Sequence, residues 1–430
     1  MKFYSLNRQA PLVDFETATV LGQAPDKGLY FPEYIPQFAY TVQQLKVLPA
    51  DELAWQVMQP YAGDCIPEVE LRRIAAESIS FPFPLVKLTN RISTLELFHG
   101  PTLAFKDVGA RFMSRCLGYF NRHNSRLVTV LVATSGDTGG AVANGFEGVE
   151  GVEVIILYPS GKVSPVQELQ LTTCGHNITA LEVNGVFDDC QAMVKQAFMD
   201  ADLTGRYQLT SANSINVARW LPQQLYYLLA WQQWQYDMPP VICVPSGNFG
   251  NICAGMLAAK SGMPAHHFIA ACNANDVIPH YLLTGLMKQQ VAIATISNAM
   301  DVALPSNFVR ILEMYDNNKV ALRANLSGAS ITDDATRQTI KRVYTETGYT
   351  LDPHGAVGYL ALHQYLQAIP GTKGYFLETA HPVKFPEVVE QMTGKAPGVP
   401  EIVKPLLLKE KRSIRLAASY DAFKQWILAR

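Results

Sequence analysis

Residues 127–140 read LVTVLVATSGDTGG, and the class of fold follows from them. The first seven are aliphatic or β-branched, the pattern of a strand covered on both faces. Hydroxyls, one acid and glycines come next, and small residues from 139 to 146 suit a short helix. A buried strand passing through a tight polar turn into a helix opens a βαβ unit. The downstream chain keeps this alternation. Residues 152–158 (VEVIILY) read as strand, 165–173 as helix, 177–183 as strand and 187–200 as helix. A second series places a long helix at 214–234, a strand at 241–244, a helix at 251–261 and a strand at 268–272. A late strand at 374–377 and a helix at 386–392 complete it. The expected architecture is α/β, with two parallel-sheet units and a cleft between them suited to a small molecule.

Upstream, residues 96–107 read ELFHGPTLAFKD. Lys106 follows an apolar Leu-Ala-Phe run and opens an amphipathic pattern that extends to about residue 117. A lysine protected in this way loses part of its preference for the charged form, and its neutral amine becomes available for Schiff-base chemistry. The same spacing also fits a lysine snorkelling from the first turn of a helix. Residues 1–90 mix short helical patterns with turns; GLYFP (28–32) reads as a strand or turn marker, and FPFPLVKL (81–88) suggests an extended connection.

Three polar turns accompany the strands. Ser135, Asp137 and Thr138 lie in the first, where hydroxyls and free N–H groups at a helix N-terminus suit an anion or simply cap the helix. Gly247, Asn248, Phe249, Gly250 and Asn251, in PSGNFGN (245–251), repeat the arrangement after the strand at 241–244. Two glycines there allow a phosphate to approach backbone amides. The loop is neither a P-loop nor a G-x-G-x-x-G dinucleotide motif. In SANSINVAR (211–219), Asn213 and Ser214 offer polar donors and Arg219 a cation. Thr379, in ETAHPVKF, falls just past the late strand, where open α/β sheets place ligands. The nine histidines show no metal-ligand spacing, and no metal is expected.

The 430 residues carry 35 Lys plus Arg against 37 Asp plus Glu, a formal charge of −2, which argues against nucleic-acid binding. Hydrophobic residues make up 48% of the chain, enough for a generous core. The seven cysteines are scattered and lack a Cys-x-x-Cys pair, as expected of reduced thiols in a cytoplasmic protein. The N-terminus has no apolar signal core, and no apolar run is long enough to span a membrane.

Taken in order, HGPTLAFKD, ATSGDTGG, SANSINVAR, PSGNFGN and TAHPVKF resemble the threonine synthase family, over most of the chain from residue 28 to about 390. The resemblance implies a fold-type II pyridoxal-phosphate (PLP) enzyme with an additional N-terminal region. Its implied divisions are an N-terminal domain 1–92, a smaller α/β domain 93–206, a larger one 207–390 and a C-terminal segment 391–430. Lys106 matches the lysine that forms the Schiff base with PLP, and Gly247, Asn248, Phe249, Gly250 and Asn251 the loop around the cofactor phosphate. Asp137 falls by the pyridine 3′-oxygen, where many relatives have Asn, and Thr379 faces the ring nitrogen. Asn213, Ser214 and Arg219 match the family's grip on a substrate phosphate, with Ser135 and Thr138 nearer the amino-acid end. The implied reaction converts O-phosphohomoserine and water to L-threonine and phosphate, the last step of threonine biosynthesis, in a cytoplasmic monomer or homodimer. A serine/threonine dehydratase needs no second phosphate site, which sets it behind this reading.

Overall fold

A computed structural model describes residues 1–122 and 126–430. Strands β1 (Phe3–Ser5) and β2 (Tyr30–Pro32) form a small antiparallel pair. Next come β3 (Leu85–Lys87) and β4 (Ile92–Glu96), antiparallel to each other. Strands β5 (Val128–Ala133), β6 (Val152–Pro159), β7 (Ile178–Asn184) and β8 (Gln208–Ser211) follow in βαβ succession. The chain continues through β9 (Val241–Pro245), β10 (His267–Cys272), β11 (Leu326–Ser330) and β12 (Gly374–Glu378) to β13 (Ile414–Ala417).

Two sheets result. The six-stranded one has the order β11-β10-β9-β12-β4-β3 and is parallel except at β3–β4; the five-stranded one, β13-β7-β6-β5-β8, is parallel throughout. β5 is buried at every residue and β6 at all but one. Unbroken aliphatic runs suit such central strands because helices cover both faces.

Sheet pairing moves two of the expected divisions. β4 joins β12 in the larger sheet, so the unit drawn from residue 93 begins inside a strand of the other sheet. β13 adds to the smaller sheet beside β7, and Phe423 and Ile427 of the helix Tyr420–Leu428 pack into that sheet's core. The C-terminal segment is therefore part of the smaller α/β unit. Both strands are short and lack an apolar run; their partners decide where they belong.

The helix expected over 214–234 starts three residues later, at Val217, with Asn216 as its cap; the Asn216 side chain accepts from the Ala218 N–H. Ser214 is thereby left in the preceding turn. A 3₁₀ turn at Leu221–Gln223, containing Pro222, precedes the α-helix Gln224–Gln233. Proline has no N–H to continue the ladder. Trp220, Leu225, Tyr226 and Tyr227 are fully buried, so the aromatic side chains of this stretch belong to the core. The helix expected over 187–200 ends at Ala197, and Asp200 caps a separate helix, Ala201–Arg206.

Candidate active site

The C-terminal ends of β12 and β4 bring the LAFK turn and the TAH turn together. The Phe105 N–H donates to the Thr379 carbonyl at 2.9 Å, and the His381 N–H to the Leu103 carbonyl at 3.0 Å. Ala104 and Ala380 form an isolated bridge between these hydrogen bonds, and the Tyr226 hydroxyl donates to the Phe105 carbonyl. Lys106 is the first residue of the helix Lys106–Asn121, held from behind by this stitching. Its side chain is 17% exposed, and Nζ lies 4.0 Å from Asp137 Oδ2. Burial pushes the Lys106 amine below its ordinary pKa; Asp137 pulls it back up, while Lys384 and Arg219 push it down.

Asp137 opens the helix Asp137–Phe146. Its Oδ1 accepts from Lys384 Nζ at 2.8 Å and from Gln167 Nε2 at 2.9 Å. Burial opposes its charge, but Lys384 and Lys106 together hold the carboxyl well below the usual range. Thr134 shapes the turn, its Oγ1 accepting from the N–H groups of Gly136 at 3.0 Å and Gly139 at 2.9 Å. Gly136 has φ 138°, and a Cβ there would meet the Gln167 side chain at 2.5 Å, so only glycine fits. Ser135 and Thr138 stay partly exposed on this turn while Gly136 and Asp137 are buried.

The PSGNFGN loop joins β9 to the next helix. Phe249 takes the left-handed conformation, φ 60°, and the helix Gly250–Lys260 begins immediately after it. A Cβ on Gly247 would come within 2.7 Å of Met300 Cα, and one on Gly250 within 3.2 Å of Ser214 Cβ. Asn251 Oδ1 accepts from the Tyr227 hydroxyl, whereas its buried Nδ2 has no partner among the described residues. Amides at a helix N-terminus, with an unpartnered side-chain donor beside them, fit a phosphate.

Ser214 meets this loop directly. Its Oγ accepts from Asn248 Nδ2 at 2.6 Å and from Asn307 Nδ2 at 3.1 Å. Arg310, fully buried, donates to Asn307 Oδ1 at 2.6 Å, to the Ile215 carbonyl at 2.6 Å and to the Tyr30 carbonyl at 3.0 Å. Arg219 folds back on the same turn, Nη1 donating to the Ala212 carbonyl. It is 3% exposed; among the described residues it pairs with no carboxylate, and its Nε has no hydrogen-bond partner. Burial lowers its pKa to about 10, which leaves it cationic at neutral pH. Asn213 is partly exposed at the edge of the turn.

Thr379 is 7% exposed at the end of β12. His381 is held neutral near pH 7, its pKa lowered to about 4 by burial and by His99, and its Nδ1 accepts from the Val383 N–H at 3.1 Å. The buried His354 bonds Asp352 through Nδ1 at 2.7 Å and accepts the Ala299 N–H at Nε2, a structural role. No group of His, Cys, Asp or Glu among the described residues suits a metal.

Lys384, Asn307 and Arg310 were not predicted. Arg310 alone left a trace in the sequence, a cation inside the apolar run FVRIL.

A family model described as "Pyridoxal-phosphate dependent enzyme" matches residues 84–375. Flanking models, "Threonine synthase N terminus" and "Threonine synthase, C-terminal", match residues 2–79 and 355–427. The chain is 41% identical to threonine synthase of Serratia marcescens over 100% of its own length and 99% of that protein's. It belongs to the threonine synthase family. The crystal structure of threonine synthase from Escherichia coli superposes with a TM-score of 0.93 at 40% identity, covering 100% of both chains. The PLP-bound threonine synthase from Brucella melitensis gives 0.92 at 34% identity, covering 99% of this chain and 98% of that one. The chain is accordingly a PLP-dependent enzyme of the fold-type II architecture. Among the described residues, no helix is long and apolar enough to cross a membrane.

Proposed function

We propose that the chain converts O-phosphohomoserine and water into L-threonine and phosphate, with Lys106 as the cofactor-bearing lysine. One observation carries the choice of substrate. Arg219 is a buried cation without a carboxylate partner among the described residues, beside a turn of polar side chains, while the glycine loop already accounts for the cofactor's phosphate. A buried, half-satisfied guanidinium is costly unless an anion arrives, and a planar donor fork suits a phosphate dianion.

In this reading Gly247, Asn248, Phe249, Gly250 and Asn251 hold the cofactor phosphate by backbone and side-chain amides. Asp137 would lie by the pyridine 3′-oxygen, and Thr379 would give the ring nitrogen a neutral partner. Bound there, PLP supplies the electron sink that makes the substrate's Cα–H and Cβ–H bonds acidic. Lys106 Nζ removes the Cα proton and later returns it. This needs a neutral amine, which burial and the nearby Lys384 and Arg219 favour. Asn213, Ser214 and Arg219 hold the substrate phosphate and stabilise its charge as the Cγ–O bond breaks. One Cβ proton leaves as the phosphate departs and a proton is added at Cγ; water then gives its oxygen to Cβ and releases a proton, so one water is consumed for each phosphate freed. Ser135 and Thr138 orient the amino-acid end. The seven unpaired cysteines fit a reducing, cytoplasmic setting.

Arg219→Leu tests the substrate. It should retain bound PLP and its visible spectrum, while kcat/KM for O-phosphohomoserine falls roughly ten- to a hundredfold, the loss of a charge-assisted contact worth about 1.5–3 kcal/mol. Serine, which has no phosphate, should still perturb the spectrum as in the unmodified enzyme. An unchanged kcat/KM would remove the basis for this substrate.

A further inference from the structure

Lys384 ends the 3₁₀ turn Pro382–Lys384, six residues beyond β12, and its side chain is wholly buried. Asp137 is its one carboxylate partner within 4.0 Å among the described residues, at 2.8 Å. The other oxygen of Asp137 faces Lys106 at 4.0 Å. A single buried carboxylate thus lies between two lysines and gives one oxygen to each. Gln167 donates to the oxygen that Lys384 already holds, which fixes the direction of the pair. If Asp137 served Lys106 alone, a second ammonium with 0% side-chain exposure would be a costly addition without purpose.

We propose that Lys384 is a positioning residue of the catalytic centre: it neutralises Asp137 and fixes its orientation, so that Lys106 meets a balanced ion pair rather than a free anion. The proposal rests on the reading of Lys106 as the cofactor-bearing lysine. An unbalanced carboxylate at this distance would stabilise the protonated form of the Lys106 nitrogen, and proton transfer would then require a higher pH. Arg219 acts on Lys106 with the same sign as Lys384. Asp107, on the Lys106 helix, is buried, bonded to Thr102 and raised in pKa by that burial. His381, three residues before Lys384, is neutral near pH 7.

The test is a sign pattern read from the pH midpoint of the bound cofactor's visible absorbance in the holoenzyme. Lys384→Met should raise the midpoint by about one unit or more, and Asp137→Asn should lower it. The double variant, which removes both charges, should return it close to the wild-type value, and Lys384→Arg should keep it there. If Lys384→Met does not fold, Asp137→Asn and the double variant carry the test, and the double should lie higher by about one unit. Equal midpoints in those two, or an unmoved midpoint in folded, PLP-loaded Lys384→Met, would overturn the proposal. Borohydride reduction of the wild type followed by peptide mapping separates the two levels. Label on Lys106 with unmoved midpoints removes the role of Lys384 alone; label on any other lysine removes the reading of Lys106 and this proposal with it.

Discussion

Glycine at position 250 is needed for room rather than for backbone freedom. Its Cβ would stand 3.2 Å from Ser214 Cβ and 3.4 Å from Asn307 Nδ2, so the γ-methyls of a valine would strike the Ser214–Asn248–Asn307 cluster. Gly250→Val should cost about 1–3 kcal/mol in local packing and weaken PLP retention on the order of tenfold or more. Ser261→Ala, at the far end of the same helix where the hydroxyl has no partner among the described residues, should leave retention unchanged. Absorbance of bound cofactor after dialysis compares the two; equal losses would argue against this loop as the phosphate cradle. The glycines and Lys106 were legible in the sequence because each lies within a contiguous motif. Lys384 was not legible as a partner of Asp137, because 247 residues separate them and no local spacing encodes the contact. The bond from Arg310 to the Tyr30 carbonyl spans 280 residues and was equally hidden.

At the scale of elements, the start of the helix after the polar turn determines which side chains reach the site. Asn216, fully buried, accepts from the Ala218 N–H and donates to the carbonyls of Thr19 at 2.8 Å and Ser211 at 3.2 Å. It joins the helix Phe15–Leu21 of the N-terminal region to the turn bearing Asn213 and Ser214. Asn216→Ala removes a cap and takes one donor from each of two carbonyls, and should lower stability by about 1–3 kcal/mol in urea unfolding, with KM for the substrate rising. A variant as stable as wild type would contradict the bracing role. Sequence patterns identified β5, β6, β7, β9 and β10, whose apolar runs reflect burial on both faces. They missed β11, LSGAS, because an edge strand with alternately exposed residues needs no such run. They placed the helix start at Ser214 because a serine before a helical pattern is a common cap, and only the three-dimensional contacts of Asn216 resolve the choice.

Across the whole molecule, the C-terminal segment straps the smaller sheet. Lys411 reaches Glu168 at 2.6 Å and Glu182 at 2.8 Å, just before β13 pairs with β7. Burial pushes the Glu182 carboxyl up, but hydrogen bonds from Lys411, Ser160 and Ser413 bring it down to about 2 from an ordinary 4.5. A carboxyl lowered by folding stabilises the fold fully above its unfolded value, and that share is lost as pH falls from 4.5 toward about 2. Lys411→Met should therefore be less stable than wild type near neutrality, by up to ~1 kcal/mol for a partly exposed pair, and the gap should close as the solution is acidified. Urea unfolding over that range reads it, and a gap constant with pH would assign the strap to packing alone. The centre that these sheets enclose is tested most directly by supplying O-phosphohomoserine to the PLP-loaded wild type and to Lys106→Ala, and measuring threonine and phosphate together. The wild type should form the two in equal amounts, and Lys106→Ala should be slower by roughly 10²–10⁴-fold or more; phosphate released without threonine, or a Lys106→Ala enzyme turning over at the wild-type rate, would contradict the assignment.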